Sequence, residues 1–327
     1  MDERLQSFPA PHSANNTVLT ILGITGPIFL IIGVGFAAVR LGLLSRAEMR
    51  PLGVFVINVA LPALLFKAMS ARALGDLVDG HLLLIYTLGS LLAAGIALAV
   101  ACLARGRGLQ TGAVQALGAS MSNSAFIGYP IAQQVMGPLA GSALAVYALV
   151  EGLVMMPLLL TLAEVAGTGN RRWTAVLKEI LRRLTRNPFI LAMGAGVLWT
   201  LVGVPLPLPV AKAVDMLSVA SAPVALFCIG GTLAGLNLRG MLGDISLIVT
   251  GKLVVHPLCV FALLALSPGN KPQLATAAIL NAGMPMLSIY PLLSQKFGQE
   301  GVSAAALVAA TTASFFTVSG LLWMLGE

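Results

Sequence analysis

The chain has 327 residues, 58% of them apolar and only 9% charged, with a mean hydropathy of +0.95. Soluble domains carry about 25% charged residues, so this composition excludes a water-soluble globule and gives the net charge of +7 no nucleic-acid partner. Continuous apolar runs of about 20 residues suit helices that cross a bilayer, not the short alternating segments of a barrel, and they predict an all-α membrane protein.

Taken in chain order, hydropathy predicts ten spans at 18–41, 51–70, 82–104, 110–136, 139–166, 187–204, 209–236, 241–266, 271–297 and 301–325. Residues 1–17 are an external tail, and 18–166 and 187–327 are two five-span halves. The tail contains Asp2, Glu3 and Arg4 without a basic n-region or a cleavage site, which argues against a removable signal peptide. Cys102, Cys228 and Cys259 fall inside apolar spans with no CxxC spacing, and read as inert free thiols. Between the halves, 167–186 is an amphipathic linker: Trp173, Val176, Leu177, Ile180, Leu181 and Leu184 recur at helical spacing opposite Arg and Lys. Such a helix lies on an anionic membrane surface or docks on a partner.

Basic residues set the orientation. Thirteen Lys and Arg, including Arg40, Arg105, Arg107, Arg182 and Lys296, belong to one set of loops and span ends. Five (Arg4, Lys67, Arg72, Lys212 and Lys271) belong to the other, and Lys252 sits within span 8. The bias puts the 167–186 linker in the cytoplasm and both termini outside, as a multi-pass membrane protein.

The two halves repeat. Adding 161 pairs Pro27 with Pro188, Gly33 with Gly194, Gly35 with Gly196, Gly42 with Gly203, Pro62 with Pro223 and Phe66 with Phe227. "YPIAQQVMG" (129–137) pairs in the same register with "YPLLSQKFG" (290–298). Three proline pairs in one register exceed chance and announce an internal repeat. Five spans per half is odd, so the second half must be inverted in the membrane. Inverted repeats with helices broken at matching places are the sequence mark of secondary transporters.

Spans 4 and 9 are the broken pair. In span 4, "SNSAFIGYP" brings Ser122, Asn123, Ser124, Gly128 and Pro130 into an apolar run. Irregular backbone at membrane depth survives only inside protein or along a watery cavity. Span 9 supplies Asn281, Gly283, Pro285, Ser288 and Pro291. Facing half-helix ends with amides and hydroxyls make a polar pocket suited to an anion; ordinary proline kinks with Ser and Asn as interhelical glue are the plainer alternative. Three ionisable residues lie within spans: Glu151, Lys252 and, one turn after Lys252, His256. Their counterparts are Thr312, Leu91 and Gly95, so charge breaks the repeat there. Glu151 and Lys252 read either as a structural ion pair or as a proton or cation site beside a counter-ion for an anionic substrate. His256 precedes Pro257 and reads as a satisfied structural histidine or as a ligand. Asp215 and Lys212 read as interfacial, and the glycines of Gly33–Phe36 and Gly230–Gly231 as close-packing positions. The sequence carries no Walker A, zinc spacing or nucleophile elbow.

"INVALPALLF" (57–66), "SNSAFIGYPIAQQVMG" (122–137), "SAPVALFCIGGTLAG" (221–235) and "GMPMLSIYPLLSQKFG" (283–298) resemble the auxin efflux carrier family in its bacterial branch. The resemblance spans about residues 20–325 and rests most on the Asn-Ser/Thr-x-x-x-Gly-x-Pro pattern with a Gly seven residues on. It implies a ten-helix inverted-repeat carrier with crossing helices 4 and 9, similar in fold to sodium/bile-acid symporters and sodium/proton antiporters. It also implies a scaffold of helices 1, 2, 6 and 7, with a homodimer through helices 2 and 7. Relatives in plants carry auxin; bacterial ones are linked to malonate, malate and similar carboxylates. The short 5–6 loop favours the bacterial branch. Substrate-site positions carry over to Asn123 and Pro130, and in span 9 to Pro285 and Pro291. Asn281 lies three residues before Met284, the repeat counterpart of Asn123. The paired aspartates of a sodium/proton antiporter are absent from span 5.

The expected function is alternating-access transport of a small organic anion such as a dicarboxylate, with no cofactor or metal and with H+ or Na+ as possible coupling ions. A carboxylate receptor without transport is the rival from another class, and an intramembrane enzyme a remote third.

Overall fold

The computed structural model describes residues 14–70, 79–168, 188–234, 242–267 and 271–325. Most of the 1–17 tail and of the 167–186 linker lies outside the described residues. Every regular element among the described residues is a helix, and each apolar stretch contains one. Six helical stretches are long and apolar enough to cross a membrane: Arg46–Ser70, Gly80–Ala104, Leu109–Gly167, Leu208–Leu233, Leu242–Leu266 and Glu300–Leu325. Leu109–Gly167 runs through spans 4 and 5 together. Span 6 (Pro188–Val202) and the two pieces of span 9 (Pro272–Ala282 and Tyr290–Gln295) are shorter.

Four of the five wide turns among the described residues precede a proline; the fifth, Val100–Ala104, runs into Arg105. A proline has no backbone N–H, and its ring displaces the carbonyl four residues earlier. The residue before it then donates five residues back, and a wide π-type turn forms. Such turns occur at Val56–Ala60 before Pro62, Ser124–Gly128 before Pro130, Val150–Met155 before Pro157 and Gly251–Val255 before Pro257. In each, the residue preceding the proline (Leu61, Tyr129, Met156, His256) donates to the carbonyl five residues earlier (Val56, Ser124, Glu151, Gly251). Two of the four turns carry Glu151 and Lys252.

The helices pack in two groups. Span 1 lies along span 7, and span 2 lies between spans 6 and 7. Spans 3, 4, 5, 8, 9 and 10 pack on one another. Glycines permit the tightest crossings of the first group. A Cβ on Gly35 would overlap the carbonyl of Phe227, one on Gly230 that of Ile32, and one on Gly196 that of Phe66. Gly33, expected to pack closely too, has open space instead. An apolar seam that includes Ile28, Ile127, Ile131, Leu226, Met284 and Val318 joins spans 1 and 7 to spans 4, 9 and 10. At the C-terminal end of span 2, Lys67 pairs with Asp215 of span 7 in an exposed bridge. Cys228 and Cys259 are buried and Cys102 half-buried, all three as free thiols.

Candidate functional site

Span 4 breaks before its proline. Helix Leu109–Ser120 ends, Met121 is extended at φ −101° and ψ 134°, and Asn123 leaves helical geometry at ψ 59°. Gly128 and Pro130, expected at the break itself, lie a turn beyond it. Pro130 lies in the second turn of the new half-helix, directly after the wide turn Ser124–Gly128, which takes up its missing N–H by letting Tyr129 donate back to Ser124. Span 9 breaks likewise: helix Pro272–Ala282 ends, Gly283–Ser288 is irregular, and Pro291 falls in the first turn of Tyr290–Gln295.

The two breaks face each other. The Asn123 backbone N–H donates to the Pro285 carbonyl at 2.8 Å, and the Asn123 side-chain amide donates to Ser288 Oγ at 2.7 Å. Behind this contact lies a buried polar ring. Glu151 Oε1 accepts from Ser124 Oγ at 2.6 Å, from the Ser122 backbone N–H at 3.3 Å and from the Tyr86 hydroxyl at 3.4 Å. Asn281 Nδ2 donates to the Tyr86 hydroxyl at 2.7 Å and to Ser124 Oγ at 2.9 Å. Asn281 Oδ1 is buried without a hydrogen-bond partner and lies against Gly128, where a Cβ would overlap it. That close approach is the physical reason for a glycine at 128.

Lys252 forms a second cluster. Its Nζ donates to the Ala282 carbonyl and lies 2.9 Å from His256 Nδ1. Nε2 of the same ring lies 2.9 Å from Ser90 Oγ. A protonated lysine can only donate, so Nδ1 accepts and Nε2–H donates to Ser90. His256 is therefore held by side chains, not by a carbonyl freed at Pro257. Ala282 ends its half-helix, so the ammonium sits at a negative helix end. Glu151 has the complementary place, receiving the N–H and hydroxyl at the start of the second half of span 4.

This explains why the direct ion pair weighed from the sequence is not formed. Glu151 and Lys252 are 7% and 0% exposed, but each is held by a different helix end. The crossing gathers Ser122, Asn123, Ser124, Gly128, Asn281, Gly283, Pro285 and Ser288 at the two breaks, while Pro130 and Pro291 lie in the half-helices that follow. Two residues went unnoticed in the sequence: Tyr86, wholly buried and packed against Tyr147 with ring centroids 4.7 Å apart and the rings tilted by 45°, and Ser90. The repeat carried the signal, because their counterparts are Leu247 and Gly251. Among the described residues no cluster of three or more His, Cys, Asp or Glu could hold a metal.

A family model described as "Membrane transport protein" matches residues 24–324. The chain is 29% identical over 307 residues to a "Putative malonate transporter" of Rhizobium meliloti (strain 1021), covering 93% of this chain and 96% of that protein. It is 27% identical over 248 residues to an "Uncharacterized transporter" of Methanothermobacter thermautotrophicus, covering 75% and 76% of the two chains. The chain thus belongs to the membrane transport protein family, the auxin efflux carrier family that its motifs resemble.

Proposed function

We propose that this family member moves a small carboxylate across a bacterial inner membrane by alternating access at the crossing of spans 4 and 9. The observation that carries the proposal is the crossing itself: two broken helices meet through Asn123 and Pro285, beside a buried lysine and a buried polar ring. Backbone N–H groups at such breaks, one amide and one ammonium recognise a carboxylate without a metal. Malonate is the first anion to try, because the name of the Rhizobium relative carries it; malate and an auxin-like acid follow.

The proposed architecture is ten spans as a 5+5 inverted repeat with both termini outside. Its support is contact-level. Gly35 on Phe227 and Gly196 on Phe66 are one contact written twice, with both partners shifted by 161 in opposite directions. Gly42 and Gly203, and Gly137 and Gly298, are pairs in the same register, and all four have positive φ. Spans 1, 2, 6 and 7 are proposed as the scaffold against which the other spans move. The exposed apolar faces of span 2 (Val54, Val59) and span 7 (Met216, Val219) are where a second copy would pack.

Uptake of radiolabelled malonate, malate and indole-acetate into proteoliposomes tests the proposal, and accumulation of at least one is the expected result. Saturable binding without flux would replace the carrier by a receptor. Labelling of Thr168→Cys by an impermeant reagent in intact cells would overturn the orientation.

A further inference from the structure

The place of Glu151 has a consequence for ion coupling. The donors at the start of the second half of span 4 are those a substrate carboxylate would use, and Glu151 already takes them. One of its oxygens, Oε1, accepts all three hydrogen bonds, from Ser122 N–H, Ser124 Oγ and Tyr86. Oε2 takes part in none. The side chain is a tethered carboxylate seated in a carboxylate site.

We propose, resting on the carrier function above, that Glu151 and the substrate anion compete for these donors, so that one proton is carried with each anion. With Glu151 ionised, its charge and that of Lys252 sum to zero and the donors are taken. A proton from water on the open side forms an O–H bond on Glu151. Its oxygen then accepts less strongly, and the Ser122 N–H, Ser124 O–H and Tyr86 O–H turn to the entering carboxylate. The cluster now carries the single positive charge of Lys252, which also favours the anion. On the far side the anion leaves, the Glu151 O–H ionises to water, and the side chain takes the donors back. Proton and anion stabilise each other's binding, which is reciprocal coupling and the thermodynamic basis of symport.

Sodium fits this geometry poorly. A sodium ion needs several oxygens turned towards it, whereas Asn281 turns its NH2 to the ring, towards Ser124 and Tyr86. Lys252 would also repel a second cation. The titratable groups around Glu151 are Tyr86 of span 3, Tyr147 of its own span, and Lys252 with His256 of span 8.

The test uses the purified full chain and malonate between about pH 6.5 and 8.5, where malonate itself stays a dianion. Calorimetry in buffers of different ionisation enthalpy counts protons taken up on binding. The wild type is expected to take up one proton per malonate on the alkaline limb, its Kd weakening about tenfold per pH unit. Glu151→Gln should bind with a Kd that does not follow pH, and its uptake should not respond to an inward proton gradient. Glu151→Asp, which keeps a titratable group, should retain the pH slope and covers the case in which Glu151→Gln fails to fold. Zero proton uptake by the wild type, or a pH slope surviving in Glu151→Gln, overturns the competition while leaving the carrier function standing. Absence of malonate, malate and indole-acetate binding in the wild type removes both together.

Discussion

Where span 1 meets span 7, Gly35 lies against the Phe227 carbonyl; where span 6 meets span 2, Gly196 lies against that of Phe66. Spans 1, 2, 6 and 7 therefore make one contact in two copies. The polar centre has no such echo. Tyr86, Glu151 and Lys252 are matched by Leu247, Thr312 and Leu91, and Asn123 by Met284. Helix packing needs only shape, and two copies of a shape serve it equally. A site for one anion needs one set of donors and one charge balance, so the second copy must give them up. On the proposed inverted-repeat reading, the packing keeps the symmetry and the polar centre breaks it.

The largest test of that contrast is Lys252→Met set beside Leu91→Met, its repeat counterpart. Removing the ammonium leaves the Ala282 carbonyl and His256 Nδ1 buried without a donor, at about 1–3 kcal/mol each. The Leu91 change should cost less than about 1.5 kcal/mol. Thermal melting of both reads the difference. Adding Glu151→Gln to Lys252→Met should restore less than about half of the loss, because the two charges are held by different helix ends. Full recovery would mean that they stabilise each other directly.

On the symmetric side, Gly35→Ala and Gly196→Ala should each destabilise by about 1–3 kcal/mol through overpacking, with the larger loss at Gly35, where the overlap with the facing carbonyl is deeper. Gly33→Ala, facing open space, should be close to neutral. A Gly196→Ala change as neutral as Gly33→Ala would break the claim that the two crossings are copies.

Asn123→Ala probes the asymmetric side through binding. The backbone link to Pro285 survives the change, so the fold should hold while malonate affinity falls about tenfold, or about 1–2 kcal/mol. Unchanged affinity would remove Asn123 from the site.

Much of this was legible in the sequence, for physical reasons. Proline pairs and glycines at a 161-residue offset carried the repeat, because backbone constraints leave their trace in residue identity. The breaks were placed several residues late. The eye goes to Gly128 and Pro130, but a proline is comfortable one turn inside a new half-helix, and the disruption falls upstream at Met121–Asn123. Between the two readings of Glu151 and Lys252 the sequence could not choose, because spacing along a chain does not say which helix end lies beside a charge. Tyr86 escaped because a lone tyrosine in an apolar span reads as packing, although the repeat would have flagged it.

The smallest effect expected lies within the crossing and compares its two serines. Ser124 donates to Glu151 and accepts from Asn281, wholly inside the protein. Ser288 accepts only from the Asn123 side chain and is half-buried. Ser124→Ala strips a buried carboxylate of a charge-assisted bond and should cost about 1.5–3 kcal/mol. Ser288→Ala removes one neutral hydrogen bond from the Asn123 amide, and the loss should be about 0.5–1.5 kcal/mol. Melting temperatures of the two variants, measured in one detergent, decide the order. If Ser288→Ala proves the more damaging, span 9 and not span 4 holds the crossing together. The polar ring around Glu151 would then be an adjunct to the site and not its centre.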